Sequence, residues 1–244
     1  MIDTEHVASS RARAPRGAVG TLAGMLAACG HGGAPPPATP PPGPPPAPGQ
    51  HTDVITYKND PARTGQNLTE SLLTLASVNS AGFGKLRLLA TDGKVDAQPL
   101  YLSALTLGGA AHNVLFVATE NDTVYAFDSD SGAILWQASL LGPGESPSDD
   151  RNCGQVTPTI GVTATPVIDR SAGAHGVIYL VAMSRDATQN YHQRLHALDV
   201  TTGAEAFGGP KEIAAGFPAA GGGTNTFEPG NYEERAALTL SNGV

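Results

Sequence analysis

The length, composition and charge of the chain already exclude several classes of protein. It has 244 residues, 40% of them hydrophobic and 15% charged, with 30 glycines and 20 prolines, so we expect a sizeable core joined by many loops. The formal net charge is -8, and no cluster of lysine and arginine follows the first sixteen residues. Nucleic acid is therefore excluded as a partner, because phosphate contacts need clustered cations.

The amino terminus has the pattern of an export signal. Arg11, Arg13 and Arg16 precede the apolar run "AVGTLAGMLAAC", which is too short to span a bilayer but typical of a secretory signal peptide. The run ends in "LAACG", which resembles the lipobox of bacterial lipoproteins. The resemblance implies a signal peptide over residues 1–29 and lipidation of Cys29; the alternative is a chance cysteine in an ordinary signal peptide.

A proline- and glycine-rich linker follows over residues 30–52. Proline fixes φ and removes a backbone donor, so the tract "APPPATPPPGPPPAPG" predicts a polyproline-type spacer that builds no core. We interpret it as a tether between a lipid-anchored Cys29 and a folded domain. A ligand for a proline-recognising domain is the alternative.

Residues 53–244 are rich in short strand-like segments. They contain β-branched and aromatic residues and are bounded by Gly, Asn, Asp or Pro. Helical periodicity is weak throughout, and only residues 68–79 are expected to form a helical turn or two. The predicted strands are residues 54–57, 83–91, 95–102, 114–119, 123–128 and 134–139.

The same order of parts occurs twice along the chain. "AQPLYL…NVLFVATENDTVYAFDSDSGAILW" aligns with "ATPVID…GVIYLVAMSRDATQNYHQRLHALDVTTGAEAF", and a third copy opens at "ERAALTL". Each copy encodes about four strands, which indicates a β-propeller-like array. We place the blades at about 92–141 and 159–214, with a third beginning at about 235. The copies are longer than usual because of predicted loops at 141–158, 184–193 and 208–235.

Each part of the repeat has a packing role. Alternation puts Val124 and Ala126 on one face of a strand and Tyr125 and Phe127 on the other. A turn over Asp128 to Gly132 follows, in which aspartate bonds backbone amides and glycine takes a positive φ. The repeat positions are Ala126, Asp128, Gly132 and Trp136, matched by Ala197, Asp199, Gly203 and Phe207.

Trp136 and Phe207 are the aromatic residues that close the two copies. Each is expected to fill an equivalent niche between adjacent sheets, since a large apolar side chain at that position can wedge between them.

These motifs resemble a known family. "VYAFDSDSGAILW" is similar to the repeat of quinoprotein-like β-propellers, and "ITYKNDPARTGQN", "VDAQPLY", "NCG" and "GVTATPVID" are similar to secreted bacterial proteins with pyrroloquinoline-quinone-like repeats. The resemblance covers most of residues 53–244. It implies an all-β fold of four-stranded antiparallel blades, in a partial ring of two blades and the start of a third.

The resemblance leaves two functions open. Family dehydrogenases that use pyrroloquinoline quinone carry adjacent cysteines, an acidic base and calcium ligands in a full ring of blades, whereas this sequence has no adjacent cysteine pair. We therefore expect no cofactor, and pyrroloquinoline quinone and calcium only if the chain is a fragment of such an oxidoreductase. No catalytic residue is assigned, because these repeats occur in enzymes and in scaffolds alike.

Other candidate sites have simpler interpretations. The stretch "DSDSG" starts like a calcium loop, but the glutamate needed at its twelfth position falls on Ser139. His192 and His196 lack a third zinc ligand nearby in sequence, and Cys153 lacks an adjacent histidine. Structural roles are favoured for all of these.

Acidic and basic residues at the two ends of the domain allow further interpretations. Glu228, Glu233 and Glu234 could form the carboxylate pair of a glycosidase but are favoured as a solvated loop. Asp60 and Arg63 are expected to pair and to fix the first turn of the domain.

We expect an exported scaffold or binding module. Long blade loops would meet a protein or glycan partner, and contact with a membrane would come from the lipid anchor alone, on the periplasmic side or at the cell surface. Because an open array leaves sheet edges exposed, we also expect the native polypeptide to continue with further blades.

Overall fold

The computed structural model describes residues 52–152 and 154–241, and its regular structure is almost entirely β-strand. The predicted signal peptide, Cys29, nearly all of the proline-rich linker and Cys153 lie outside the described residues. Within the described ranges, no helix is long and apolar enough to cross a membrane. The predicted domain boundaries stay predictions.

The first sheet is a simple antiparallel meander. Its strands are β1 (Leu100–Leu107), β2 (Ala110–Ala118), β3 (Thr123–Asp128) and β4 (Ile134–Ser139), and they lie in that order. The structure confirms the predicted strands 123–128 and 134–139 residue for residue. Every residue of β3 is buried, as expected for an inner strand that is covered on both faces.

The second sheet has the same antiparallel meander at its centre, with additional short strands. The long strands β8 and β9 pair along their full length, and β5 and β7 both pair with β8. A separate hairpin, β11–β12, follows. The strands are β5 (Ser146–Asp149), β6 (Thr159–Ile160), β7 (Val167–Asp169), β8 (Val177–Arg185), β9 (Tyr191–Asp199), β10 (Lys211–Glu212), β11 (Gly216–Pro218) and β12 (Thr224–Thr226).

One apolar core joins the two sheets face to face. Val124 and Ala126 lie in this core, whereas Tyr125 and Phe127 lie in a second cluster on the opposite face of β3, which confirms the predicted alternation. The first sheet contributes Leu100, Leu102, Val114, Phe116, Ala118 and Trp136, and the second contributes Ile168, Ile178, Leu180, Ala182, Leu198 and Val200. The expected fold class, all-β with antiparallel blades, is therefore confirmed.

The segment that precedes the first sheet fastens both sheets together. The backbone of Val54 exchanges two hydrogen bonds of 2.9 Å with Tyr101 on β1, and the next carbonyl, that of Ile55, accepts a 2.8 Å hydrogen bond from Ile168 on β7. The Asp53 carboxylate accepts hydrogen bonds from Ser103 and pairs with Arg170. Residues 53–55 therefore bridge the two sheets.

Several sequence predictions for this domain are wrong. Residues 54–57 form a single β-bridge and a short 3-10 helix (Tyr57–Asn59) rather than a strand, and residues 83–91 form no paired strand. Residues 68–79 contain turns but no helix. The predicted loop 184–193 lies largely within β8 and β9, because the Asp186 side chain closes a tight turn by bonding Thr188 and Asn190.

Candidate functional site

The first repeat turn is held by the carboxylate of Asp128 at the end of β3. One oxygen accepts hydrogen bonds from the backbone N–H and hydroxyl of Ser131 (2.7 and 2.8 Å), and the other lies 2.7 Å from Nδ1 of His112. Burial raises the pKa of Asp128, but the hydrogen bonds from His112 and Ser131 outweigh it and bring that pKa down to about 2. The carboxylate is therefore used as a charged turn cap.

The second repeat turn reproduces this geometry around Asp199. Its carboxylate accepts hydrogen bonds from the backbone N–H and hydroxyl of Thr201 (2.8 and 2.5 Å) and lies 2.8 Å from Nδ1 of His175. These hydrogen bonds outweigh burial and lower the pKa of Asp199. The repeated "AH" dipeptide, at His112 and His175, is the sequence signal that marks these two histidines.

Trp136 forms the junction between the sheets. Its indole N–H donates a 3.0 Å hydrogen bond to the carbonyl of Val200, and its ring packs 5.9 Å, centroid to centroid, from that of Phe116. A Cβ on Gly203, which has a φ of +71°, would lie 2.6 Å from Cε3 of the indole. The indole of Trp136, on the first sheet, therefore packs against the Asp199–Gly203 turn of the second sheet.

Phe207 does not fill an equivalent niche, so that expectation is wrong. Its side chain is 69% exposed, and its backbone has a φ of +55°. Trp136 is covered because the second sheet lies against it, whereas Phe207 stays exposed although a two-stranded sheet, β11–β12, follows it in the described residues. Of the remaining repeat positions, Ala126 is fully buried, Gly132 has a φ of +82°, and Ala197 is half-buried on β9.

A cleft of about 530 Å³ opens where the start of the domain meets the residues before β7 and residues 235–237. Arg63 crosses it, with its guanidinium 5.4 Å from the ring of Tyr57, and donates hydrogen bonds to the carbonyls of Ala237 (3.0 Å) and Leu238 (3.2 Å). Asp60 and Arg63 pair through the backbone, where Arg63 N–H donates a 2.9 Å hydrogen bond to the Asp60 carbonyl, whereas the Asp60 carboxylate accepts hydrogen bonds from Thr64. Arg63 therefore links the start of the domain to residues 237 and 238.

Two buried acids lie in the β2–β3 turn. The carboxylate oxygens of Asp122 are buried and have no hydrogen-bond partner among the described residues, and the buried carboxylate of Glu120 lies beside Asp96. Burial and the nearby Asp96 raise the pKa of Glu120. Burial and the charge of Glu145 raise the pKa of Asp122 well above its usual value, although Arg194 opposes this. Burial therefore makes ionisation of both carboxyl groups less favourable than it is in water.

Gly161 explains why these acids are buried. A Cβ at this position would lie 2.4 Å from the carbonyl oxygen of Glu120 and 2.8 Å from the backbone nitrogen of Asp122. The backbone of the second sheet therefore touches the β2–β3 turn directly, and Val162 N–H donates a 3.1 Å hydrogen bond to the carbonyl of Thr119. Only glycine allows this approach.

The histidines and acids considered as catalytic or metal groups belong to structural networks. His196 Nδ1 lies 2.5 Å from Glu205, and His192 Nδ1 lies 3.2 Å from Glu212. On the same strand, Arg194 binds both oxygens of Glu145 at 2.8 Å. Hydrogen bonding by Arg194 outweighs burial and, with bonds from Ser184 and Gly142, lowers the pKa of Glu145 to about 2.

The three glutamates considered for glycoside cleavage lie in or next to the short 3-10 helix and the segment that follows it. Glu228 is the residue before the 3-10 helix Pro229–Asn231, Glu233 lies 3.6 Å from Arg235, and the backbone carbonyl of Glu234 accepts a hydrogen bond from Thr163. Burial raises the pKa of Glu234. Their geometry is that of a segment fixed along the second sheet.

A projecting hairpin is the main exposed feature of the 208–235 connection. All residues of β11 and β12 are exposed, and Phe217 near the tip of β11 is 42% exposed. The base of the hairpin is anchored firmly: Gln193 donates hydrogen bonds to the carbonyls of Pro229 (3.1 Å) and Tyr232 (2.6 Å), and Phe227 stacks on Tyr232 at 5.1 Å. The hairpin is therefore exposed, and the residues that follow it are hydrogen-bonded to Gln193 on β9.

Comparison with known proteins identifies the family. A family model described as outer membrane protein assembly factor BamB matches residues 61–206. The chain belongs to the BamB family. The match spans the first sheet, the second sheet through Glu205 and the two aspartate turns, so the chain is a repeat protein of the pyrroloquinoline-quinone-like β-propeller type. No curated protein matches the sequence significantly.

Membership of the BamB family does not assign a cofactor to the cleft. Among residues 52–152 and 154–241, no group of three or more His, Cys, Asp or Glu is placed to hold a metal ion. The Arg63 guanidinium in the cleft is already bonded to backbone carbonyls. The expectation of no cofactor stays a prediction, and pyrroloquinoline quinone and calcium stay predictions of the alternative function.

Proposed function

We propose that this protein is an exported, lipid-anchored β-propeller scaffold that binds a protein partner in the assembly of outer membrane proteins. The observation that carries the proposal is the exposed hairpin β11–β12, which is followed by a segment hydrogen-bonded to Gln193 on the second sheet. The description of the family, an outer membrane protein assembly factor, supports the setting.

The polar groups of the described structure support a scaffold more than an enzyme. Asp128 and Asp199 cap turns, Glu145 and Arg194 bind each other, and Arg63 holds a backbone segment. Each of these groups has a structural task. A partner site of this kind needs shape and backbone groups rather than reactive side chains.

Protein is favoured over glycan as the partner. The two aromatic rings at the hairpin base, Phe227 and Tyr232, stack on each other, which occupies one face of each ring. The tip offers backbone groups, small residues and Phe217, which suit pairing and packing against another polypeptide.

Site-specific photo-crosslinking tests the proposal. A benzophenone amino acid replaces Phe217 on the hairpin, and the matched control carries it at Ile134, which is similarly exposed (51%) on the first sheet. In cells that export the protein, we expect position 217 to crosslink to a component of the outer membrane assembly machinery. Position 134 should give no such crosslink. Equal crosslinking at both positions, or none at 217, contradicts the proposal.

Lipid anchoring is tested separately. The Cys29→Ser variant should lose incorporation of labelled palmitate and move from the membrane fraction to the soluble periplasmic fraction, because lipidation at a lipobox requires the cysteine thiol. Unchanged membrane association of the variant would contradict the anchor while leaving the hairpin proposal standing.

A further inference from the structure

The β2–β3 turn is a place where the backbones of the two sheets meet. The 3.1 Å hydrogen bond from Val162 N–H to the Thr119 carbonyl crosses between the sheets, and Leu140 N–H donates a 2.8 Å hydrogen bond to the carbonyl of Asp122. A Cβ on Gly161 would lie 2.8 Å from the backbone nitrogen of Asp122. We call this packing of residues 119–122 on residues 160–162 the turn contact.

The side chain of Asp122 is enclosed at the turn contact without a bonding partner. Its exposed fraction is 0%, and neither carboxylate oxygen has a hydrogen-bond partner among residues 52–152 and 154–241. The carboxylate of Asp128, by contrast, is bonded by the backbone N–H and the hydroxyl of Ser131. An ionised Asp122 would be a buried charge without a protein donor, which is costly.

The charges that face Asp122 come from three elements and are mostly negative. Asp92 lies before β1 and Glu145 before β5, and the cation is Arg194 on β9. Arg194 already binds both oxygens of Glu145 and one oxygen of Glu212, all at 2.8 Å. Burial is the main cause that raises the pKa of Asp122 well above its usual value, and the charge of Glu145 adds to it.

A second acid of the same turn, Glu120, has a similar environment. Its carboxylate is buried beside that of Asp96, and the other charges that act on it are those of Lys94 and Glu233. Burial is again the main cause that raises the pKa of Glu120. Ionisation of this turn is therefore opposed at two positions.

A separate connection between the sheets, at residues 53–55, has a different character. The carbonyl of Ile55 accepts a 2.8 Å hydrogen bond from Ile168 N–H. The carboxylate of Asp53 accepts hydrogen bonds from Ser103 and pairs with Arg170. Because this acid has donors and a cationic partner, the connection serves as an internal reference for the turn contact.

We propose that Asp122 makes the turn contact a proton-sensitive joint between the two sheets. With Asp122 protonated, residues 119–122 stay packed on residues 160–162. Loss of the proton leaves a buried negative charge beside Glu145 and Asp92, and the turn contact opens so that water reaches the carboxylate. The connection at residues 53–55 stays closed. This inference does not depend on the proposed function.

The sign of the effect follows from the raised pKa of Asp122. The stabilisation that protonated Asp122 gives is fully present below the unfolded-state pKa of about 4, and it is lost as the pH rises through the folded-state pKa. The free energy of opening the turn contact should therefore fall between pH 4 and pH 8.

Amide hydrogen exchange of the full chain, followed by NMR at pH 4 and at pH 8, tests the proposal. The protection factors of Val162 and Leu140 are divided by that of Ile168, which removes any change in global stability. We expect both ratios to fall by roughly tenfold or more from pH 4 to pH 8. Ratios that do not fall overturn the proposal.

Two isosteric variants assign the effect to one side chain. Asp122→Asn should abolish the fall in both ratios, because asparagine does not titrate and tolerates a positive φ such as the +56° of Asp122. Asp130→Asn, at an exposed aspartate of the next turn, should leave the fall as it is in the wild type. A wild-type fall in Asp122→Asn, or its loss in both variants, overturns the proposal.

Discussion

Replacement of Gly203 by alanine tests the contact between the two sheets. The new Cβ would lie 2.6, 2.9 and 3.0 Å from three ring carbons of Trp136, at a backbone φ of +71°. Alanine in the left-handed region costs roughly 1–2 kcal/mol, and overpacking of a buried contact costs a further 1–3 kcal/mol or so. We expect Gly203→Ala to lower the free energy of unfolding by about 2–5 kcal/mol.

The matched control is Gly132→Ala in the first repeat turn. Its φ of +82° imposes the same backbone strain, but its Cβ would meet only the flexible side chains of Arg87 and Leu89, at 3.1 and 3.3 Å. It should therefore cost about 1–2 kcal/mol. Urea unfolding, followed by the emission of the single tryptophan and by circular dichroism, measures both. Equal losses in the two variants would refute the contact between Gly203 and the indole.

Three further substitutions test other parts of the account by the same unfolding assay. Asp128→Asn should lower the free energy of unfolding by roughly 2 kcal/mol at pH 7. Because the folded-state pKa of Asp128, about 2, lies below the unfolded value, the difference from wild type should disappear as the pH falls from about 4 to 2. A difference that does not depend on pH would contradict this. Asp122→Asn should stabilise the protein at pH 8 but not at pH 4. Because the pKa of Asp122 is raised in the folded state, its contribution to the free energy of unfolding is lost as the pH rises through that pKa. A variant that is less stable than wild type at pH 8 would disprove this. Gly161→Ala should lower the free energy of unfolding by about 2 kcal/mol or more, because its Cβ would lie 2.4 Å from a backbone atom. Gly84→Ala, with open space around its Cβ, should change it almost not at all. Similar stabilities of these two variants would argue against the close approach of the two backbones.

The repeat motif could be predicted because its information is local. The alternation in β3, the aspartate turn and the tryptophan all lie within residues 123–136, and the observed β3 and β4 have the predicted bounds. The contact of Trp136 with Gly203 joins residues 67 positions apart, and the repeat alignment marked both positions without predicting that they touch.

Other features depended on signals that were overlooked or on distant partners. The predicted strand 95–102 differs from the observed β1, which runs from Leu100 to Leu107. Gly108 and Gly109, with φ of +58° and +86°, form a two-residue hairpin turn after it, and a pair of glycines is a sequence signal for such a turn. Residues 83–91 have strand composition, but a strand also needs a neighbour to pair with. The path of Arg63 to residues 237 and 238 has no local signature, since it crosses most of the chain.

The packing of the first sheet's tryptophan on the second sheet's turn is the central claim, and nuclear Overhauser contacts of the Trp136 indole test it most directly. The chain has one tryptophan, so its ring protons can be assigned without ambiguity. The structure predicts strong contacts from the Hε3 and Hζ3 protons to the α-protons of Gly203, with Gly203→Ala as the variant that perturbs them. An indole that shows contacts only to residues of its own sheet would contradict the account.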